Sequence, residues 1–262
     1  MLLLSVPTHA AGEPLTIPGL RAADALALAR VARSLAAGAA PMARPLEGRF
    51  VAVVAGSQDQ PSAGVFALAA QALGARVAHI APADLGLGLG DAANAQDTAR
   101  LLGRLYAAIG CAGLDLPSVA LLKLTCGVPV LHDLAADIHP SRLLADLMTL
   151  QQAQCEGVAR PPRRPRLGLH GAPRSSLLQA WQEMAAGAGV ELIDLSGRGA
   201  AARSAGCDFV CRPGPPPELL AVAVAAGTSP YRHQESSLWQ RQRSNHALVV
   251  QALLLNELGA RR

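Results

Sequence analysis

Aromatic residues make up only 3% of this 262-residue chain, while Ala and Leu dominate. That shortage argues against an all-β sandwich and suits helices packed on a sheet through small side chains. The five cysteines (Cys111, Cys126, Cys155, Cys207 and Cys211) show no CxxC spacing, and their number is odd. Neither a zinc site nor a disulfide framework is indicated, and reduced thiols in a cytoplasmic protein are expected. No run approaches the roughly 18 strongly apolar residues of a membrane-spanning helix. The opening MLLLSVPTHAAG lacks the basic segment of a secretory leader, and Pro7 and His9 break its apolar run. The net charge of +4 and pI near 9.1 are spread along the chain. They are too weak to imply nucleic acid as a partner.

What is present is apolar bulk, 51% of the residues, enough for one large domain or two modest lobes. Residues 20–38 carry apolar side chains at helical spacing and end on a glycine. GRFVAVVAG (48–56) predicts a buried strand, 63–73 a helix capped by Gly74, and ARVAHIAP (75–82) a second strand. NAQDTARLLGRLYAAI (94–109) predicts a helix over its whole length, 114–125 another, and VPVLHDL (128–134) a strand. A helix follows from Arg142. Such alternation argues for a parallel sheet covered by helices.

Four Arg and three Pro crowd into VARPPRRPR (158–166). The segment reads as a linker between lobes, with a nucleic-acid arm as the alternative. Beyond it come a strand (166–171), a helix (175–189), a strand (190–195), a strand running into a rigid turn (207–217), and a final helix over about 237–258. The alternating glycines of GLGLG (86–90) lack the GxGxxG spacing of a dinucleotide loop.

Several blocks resemble the aspartate/ornithine carbamoyltransferases, with wording closer to the ornithine branch. LEGRFVAVVAG (46–56) and AAQALGARVAHI (69–80) resemble the family's first strand and its helix-to-strand turn. NAQDTARLLGRLYAAI resembles its DTAR helix, and GVPVLHDLAADIHPSRLLADLMTLQQ (127–152) its VPVxNGL and HPxQxLADLxT blocks. CRPGP (211–215) resembles the HPGP or HCLP turn, and QRSNHALVVQALL (242–254) the C-terminal helix. The resemblance implies a two-lobed α/β fold with a parallel sheet flanked by helices in each lobe and a shortened second lobe. Residues 1–155 would form a carbamoyl-phosphate-binding-like lobe and 156–236 a shortened amino-acid-binding-like lobe. The helix at 237–262 would pack back on the first lobe. It implies no cofactor and no metal. It implies a homo-oligomer, trimeric in the family, or a hetero-oligomer with an active transcarbamylase, and a small anionic metabolite as a possible ligand.

The chemistry to be served is neutralisation of a phosphate dianion, polarisation of a carbonyl and aiming of an amine. The family places a Ser-Thr-Arg-Thr loop at a helix N-terminus for the phosphate. Here that loop falls on Asp59-Gln60-Pro61-Ser62-Ala63, and no Lys or Arg stands between Arg49 and Arg76. An Asp close to a phosphate costs several kcal/mol even at an effective dielectric constant of about 20. The family's carbamoyl-contacting Arg falls on Cys111-Ala112-Gly113, and its HPxQ glutamine on Arg142.

The anion or carbamoyl pocket remnant is therefore Gln60, Ser62, His139 and Arg142, with Arg142 open to two roles, partial compensation for the lost cations or pairing with Asp59. His139 is open to two roles, ligand contact or cap of the following helix. In the second lobe no SMG loop exists, and Cys211 and Arg212 are the candidate loop residues. Cys211 is either a thiol activated by Arg212 or a buried structural residue. His246 matches the family's C-terminal-helix His, as packing or exposed. The expected function is that of a divergent homologue without carbamoyl transfer, a non-catalytic subunit or metabolite binder. The alternative is an active transferase with a remodelled site.

Overall fold

A computed structural model describes residues 20–38, 44–57, 59–86, 92–156, 164–170, 176–204, 206–212, 214, 217–224 and 233–259. In chain order the elements are α1 (Ala22–Ala36), β1 (Phe50–Ala55), α2 (Pro61–Ala72), β2 (Arg76–Ile80), α3 (Ala92–Leu105), β3 (Ile109–Ala112), α4 (Leu116–Thr125), β4 (Val130–His132), α5 (Pro140–Cys155), β5 (Arg166–Leu169), α6 (Ser176–Ala188), β6 (Glu191–Asp194), α7 (Ala200–Ser204), β7 (Phe209–Arg212), β8 (Glu218–Val224), β9 (His233–Ser237) and α8 (Trp239–Gly259). Most of the Arg-Pro segment and of GLGLG lies outside the described residues. Two compact units emerge, Leu28–Ser141 with His246–Arg262, and Arg142–Asn245 with the chain up to Ala27. The division falls inside α5 at residue 141, whereas the motif-based boundary lies near residue 155.

In the unit containing Leu28–Ser141, the strands run parallel in the order β2-β1-β3-β4. The β1 run FVAVVA shows why. Successive side chains of a strand point to opposite faces, so a strand buried on both faces must be apolar throughout. Val51 and Val53 pack with Ala63, Phe66 and Ala70 of α2 and with Val250 and Leu254 of α8. Ala52 and Val54 face the other way, onto Ala99 and Leu102 of α3 and Val119 and Leu122 of α4.

β3 corrects the expectation of one helix over 94–109. The helix ends at Leu105, and Ile109–Ala112 is a central strand with all four residues buried. A short, continuously apolar run carries no periodicity of its own, so it reads equally as a helix end or a buried strand. Gly110 belongs to the strand because Phe66 leans on it. A Cβ there would lie 2.5 Å from the Phe66 ring.

The sheet of the other unit has the order β6-β5-β7-β8-β9. It is parallel through β6-β5-β7 and continues antiparallel through β8 and β9. Its buried side chains include Leu167, Phe209 and Val210 from the sheet and Trp181 and Met184 from α6. The strand expected within 207–217 is β7, and the rigid turn expected after it lies largely outside the described residues. Beyond it β8 and β9 are two strands not foreseen, and α7 was not foreseen either.

Candidate functional site

In an open parallel sheet, ligands settle beyond the carboxyl ends of the strands where the strand order reverses direction. With the order β2-β1-β3-β4, that point lies between β1 and β3. The residues that meet there are 56–57 and 59–60 after β1, Gly113 after β3 and 133–139 after β4.

Gln60, Ser62 and His139 all belong to this edge. Gln60 precedes α2 in an extended conformation, and Pro61 opens the helix where a missing N–H costs nothing. The Gln60 amide lies against Gly113, where a Cβ would stand 2.7 Å from its Nε2. Gln60 Oε1 is buried and makes no hydrogen bond among the described residues. Ser62 Oγ accepts the amide of Ala135 at 3.0 Å, tying the start of α2 to the loop after β4. Asp59 is exposed, and its amide donates to Ser57 Oγ.

His139 precedes α5 directly and caps it, since its Nδ1 accepts the Ser141 amide at 3.2 Å. Burial, and then the neighbouring His132, pushes its pKa down to about 4, with Lys123 adding to the effect and Asp133 opposing it. The ring is therefore neutral at physiological pH and brings no positive charge.

Asp133 is a residue that sequence reading missed. Among the described residues it is the non-glycine residue with positive φ, at 46°, and it stands where the family wording VPVxNGL has Gly. Its Oδ1 accepts the Gly113 amide at 3.0 Å, and its Oδ2 lies 3.0 Å from His132 Nε2. The same edge holds Cys111, whose thiol is pushed up to about 12, mainly by burial. It is inert as a nucleophile.

Arg142 falls in the other unit. Its guanidinium is buried, with Nε 3.3 Å from Asp146 and Nη2 donating to the Pro217 carbonyl at 2.8 Å. Asp146 and Pro217 are thus its partners, which corrects the expectation of pairing with Asp59. Gln242 joins the same knot. Its Nε2 donates to Asp146 Oδ1 at 2.9 Å, and its Oε1 accepts the Leu219 amide at 2.9 Å. Asn245 Nδ2 donates to Thr149 Oγ1 and Gln152 Oε1. The LADLMT block and the QRSNHA block are therefore packing partners, joined through buried polar side chains.

Cys211 is buried in β7, opposite Leu219 of β8, and Arg212 is exposed at the strand end, opposite Glu218. Both are strand residues rather than loop residues. None of the five cysteines is joined in a disulfide. Among the described residues no cluster of three or more His, Cys, Asp or Glu could hold a metal ion, and no helix is long and apolar enough to cross a membrane.

The unit containing Leu28–Ser141 thus has an open parallel α/β architecture with its switch point between β1 and β3. Residues 14–152 match the model of the aspartate/ornithine carbamoyltransferase carbamoyl-P binding domain. The chain belongs to the aspartate/ornithine carbamoyltransferase family. A catabolic ornithine carbamoyltransferase of Malacoplasma penetrans is 36% identical over 109 residues, which is 42% of this chain and 31% of that protein. The crystal structure of a mitochondrial ornithine carbamoyltransferase from Coccidioides immitis superposes with a TM-score of 0.52 at 19% identity. That match covers 72% of this chain and 60% of the other, and it shows the fold. The chain thus spans less than two thirds of either relative.

Proposed function

We propose that the protein is a member of this family without carbamoyl transfer activity, acting as a non-catalytic subunit or as a binder of a small metabolite. The observation that carries this reading is the fate of positive charge. The loop before α2 contains no Lys or Arg. Arg142, the cation at the glutamine position of the HPxQ motif, is committed to Asp146 and Pro217. His139 is held neutral. A phosphate dianion needs fixed donors and charge to compete with water, and these residues supply little of either. Cytoplasmic location and an oligomer, either of this chain alone or with an active transcarbamylase, belong to the same proposal.

A second reading, an active transferase with a remodelled site, draws on the retained edge. Gln60 offers a buried acceptor without a hydrogen-bond partner among the described residues, and Ser62 at the start of α2 and His139 before α5 belong to the same edge. The purified chain incubated with carbamoyl phosphate and either ornithine or aspartate decides between the two. The first reading expects no carbamoylated product. Turnover abolished by His139→Gln would establish the second. Binding is read by the thermal midpoint with carbamoyl phosphate, phosphate, ornithine or aspartate, since a ligand at 100 times its Kd stabilises the fold by about 2.7 kcal/mol.

A further inference from the structure

Beyond the carboxyl ends of β1, β3 and β4 the sequence runs through residues 56–60, 113–115 and 133–139. These stretches hold four carboxylates, Asp59, Asp115, Asp133 and Asp137, and no Lys or Arg. Such a switch point favours the charge opposite to that of a phosphate.

The geometry converges on Gly113. Its amide donates to Asp133 Oδ1 at 3.0 Å, so a donor that an anion would need at the end of β3 is already taken by a side chain. The Gln60 amide lies against the same glycine, with Nε2 2.7 Å and Oε1 3.1 Å from where a Cβ would stand. Gln60 Oε1 is buried and accepts no hydrogen bond among the described residues, a costly state that an incoming N–H relieves. Gly113 is exposed and the Asp133 side chain is 38% exposed, so the carboxylate is open to a ligand. Its Oδ2 also lies 3.0 Å from His132 Nε2.

Two features act the other way. No side chain of the N-cap residue bonds the first turn of α2, and a helix N-terminus carries about half a positive charge. Lys123, in the last turn of α4, reaches Cys111 and His139 electrostatically, but it is exposed and screened by water. Neither matches a full carboxylate charge bonded to the end of β3.

We propose that the β1/β3 switch point is a subsite for the cationic N–H group of a ligand, an ammonium or a guanidinium. The Asp133 carboxylate is its counter-charge and Gln60 Oε1 its second acceptor. By holding the Gly113 amide, Asp133 also shuts out phosphate-type anions. The inference rests on the metabolite-binding reading above and names the charge that the metabolite carries at this edge.

The test is a titration of the nitrogen-15-labelled full chain with methylammonium, methylguanidinium and phosphate, followed by magnetic resonance of the Gly113 amide. Ionic strength is held constant, and pH 8 lies above the ordinary histidine range. The wild type is expected to show a saturable shift with at least one of the two cations and none with phosphate. Asp133→Asn keeps an acceptor for the Gly113 amide but loses the charge, and should weaken cation binding at least tenfold. Gln60→Met removes the second acceptor and should weaken it several-fold. A saturable shift with phosphate, the lack of one with either cation, or a cation affinity unmoved by either substitution would each overturn the proposal. If Asp133→Asn does not fold, the wild-type titrations and Gln60→Met decide. Carbamoylated product from carbamoyl phosphate and ornithine in the same preparation would defeat the non-catalytic reading alone, whereas failure to bind either cation defeats this inference alone.

Discussion

Arg142 and Asp146 form a buried ion pair one turn apart on α5, with Nε 3.3 Å from Oδ1 and both side chains at most 5% exposed. A family motif position has thereby become a structural one. Removing one partner of a buried pair strands the other charge in a poorly solvated place, at a cost of about 3–5 kcal/mol. Arg142→Met should therefore lower stability by that order in urea unfolding, whereas the double change Arg142→Met with Asp146→Leu should recover much of the loss. If the single variant unfolds like the wild type, the pair is not holding α5.

Much of this fold was legible in the sequence. Amphipathic spacing gives α1 and α6, and the β-branched run at 50–55 gives β1. The matched blocks fixed the order of the first unit, except at β3, where IGCA is apolar on both faces and lacks a period. The site was legible residue by residue but not as an arrangement. Gln60, Ser62 and His139 meet at one sheet edge, yet the partners of Arg142 lie 4, 75 and 97 residues away in the chain, at Asp146, Pro217 and Trp239. Spacing alone cannot report such contacts. Asp133 was overlooked although it carried a signal, a non-glycine residue at a glycine position of the motif.

Asp133 occupies the left-handed region at φ 46°, which costs most L residues roughly 1–2 kcal/mol but suits Asp and Asn better. Its carboxylate offsets the strain by accepting the Gly113 amide. Asp133→Ala keeps the strain and loses the acceptor, so destabilisation of about 1–3 kcal/mol is expected. Asp133→Asn should stay close to the wild type, because its amide oxygen can accept the same bond. Chemical unfolding of the two variants side by side checks the order, and equal losses would show that the Gly113 bond contributes nothing.

Gly113 is constrained twice, by φ of +65° and by the Gln60 amide 2.7 Å from where a Cβ would stand. Gly113→Ala should cost about 2 kcal/mol, of which roughly 1–2 is backbone strain and the remainder displacement of Gln60. Adding Gln60→Ala to Gly113→Ala should recover the second part and leave the first. If the double variant is no more stable than Gly113→Ala, the two residues are not in contact.

His139 should make stability depend on pH. Its pKa in the folded protein is about 4, lowered first by burial and then by His132, with Lys123 contributing and Asp133 acting in the opposite sense. In the unfolded chain an ordinary histidine titrates near 6.5. Between these values the unfolded state binds the extra proton, so acidification favours unfolding. The contribution of the neutral ring is complete above about pH 6.5 and is lost as pH falls toward 4. At pH 5 the loss is on the order of 2 kcal/mol. Urea unfolding at pH 7 and pH 5 should show a fall in stability that is smaller by this amount in His139→Gln, whose side-chain oxygen can still cap α5 and does not titrate. An identical pH dependence in the two proteins would mean that His139 titrates normally.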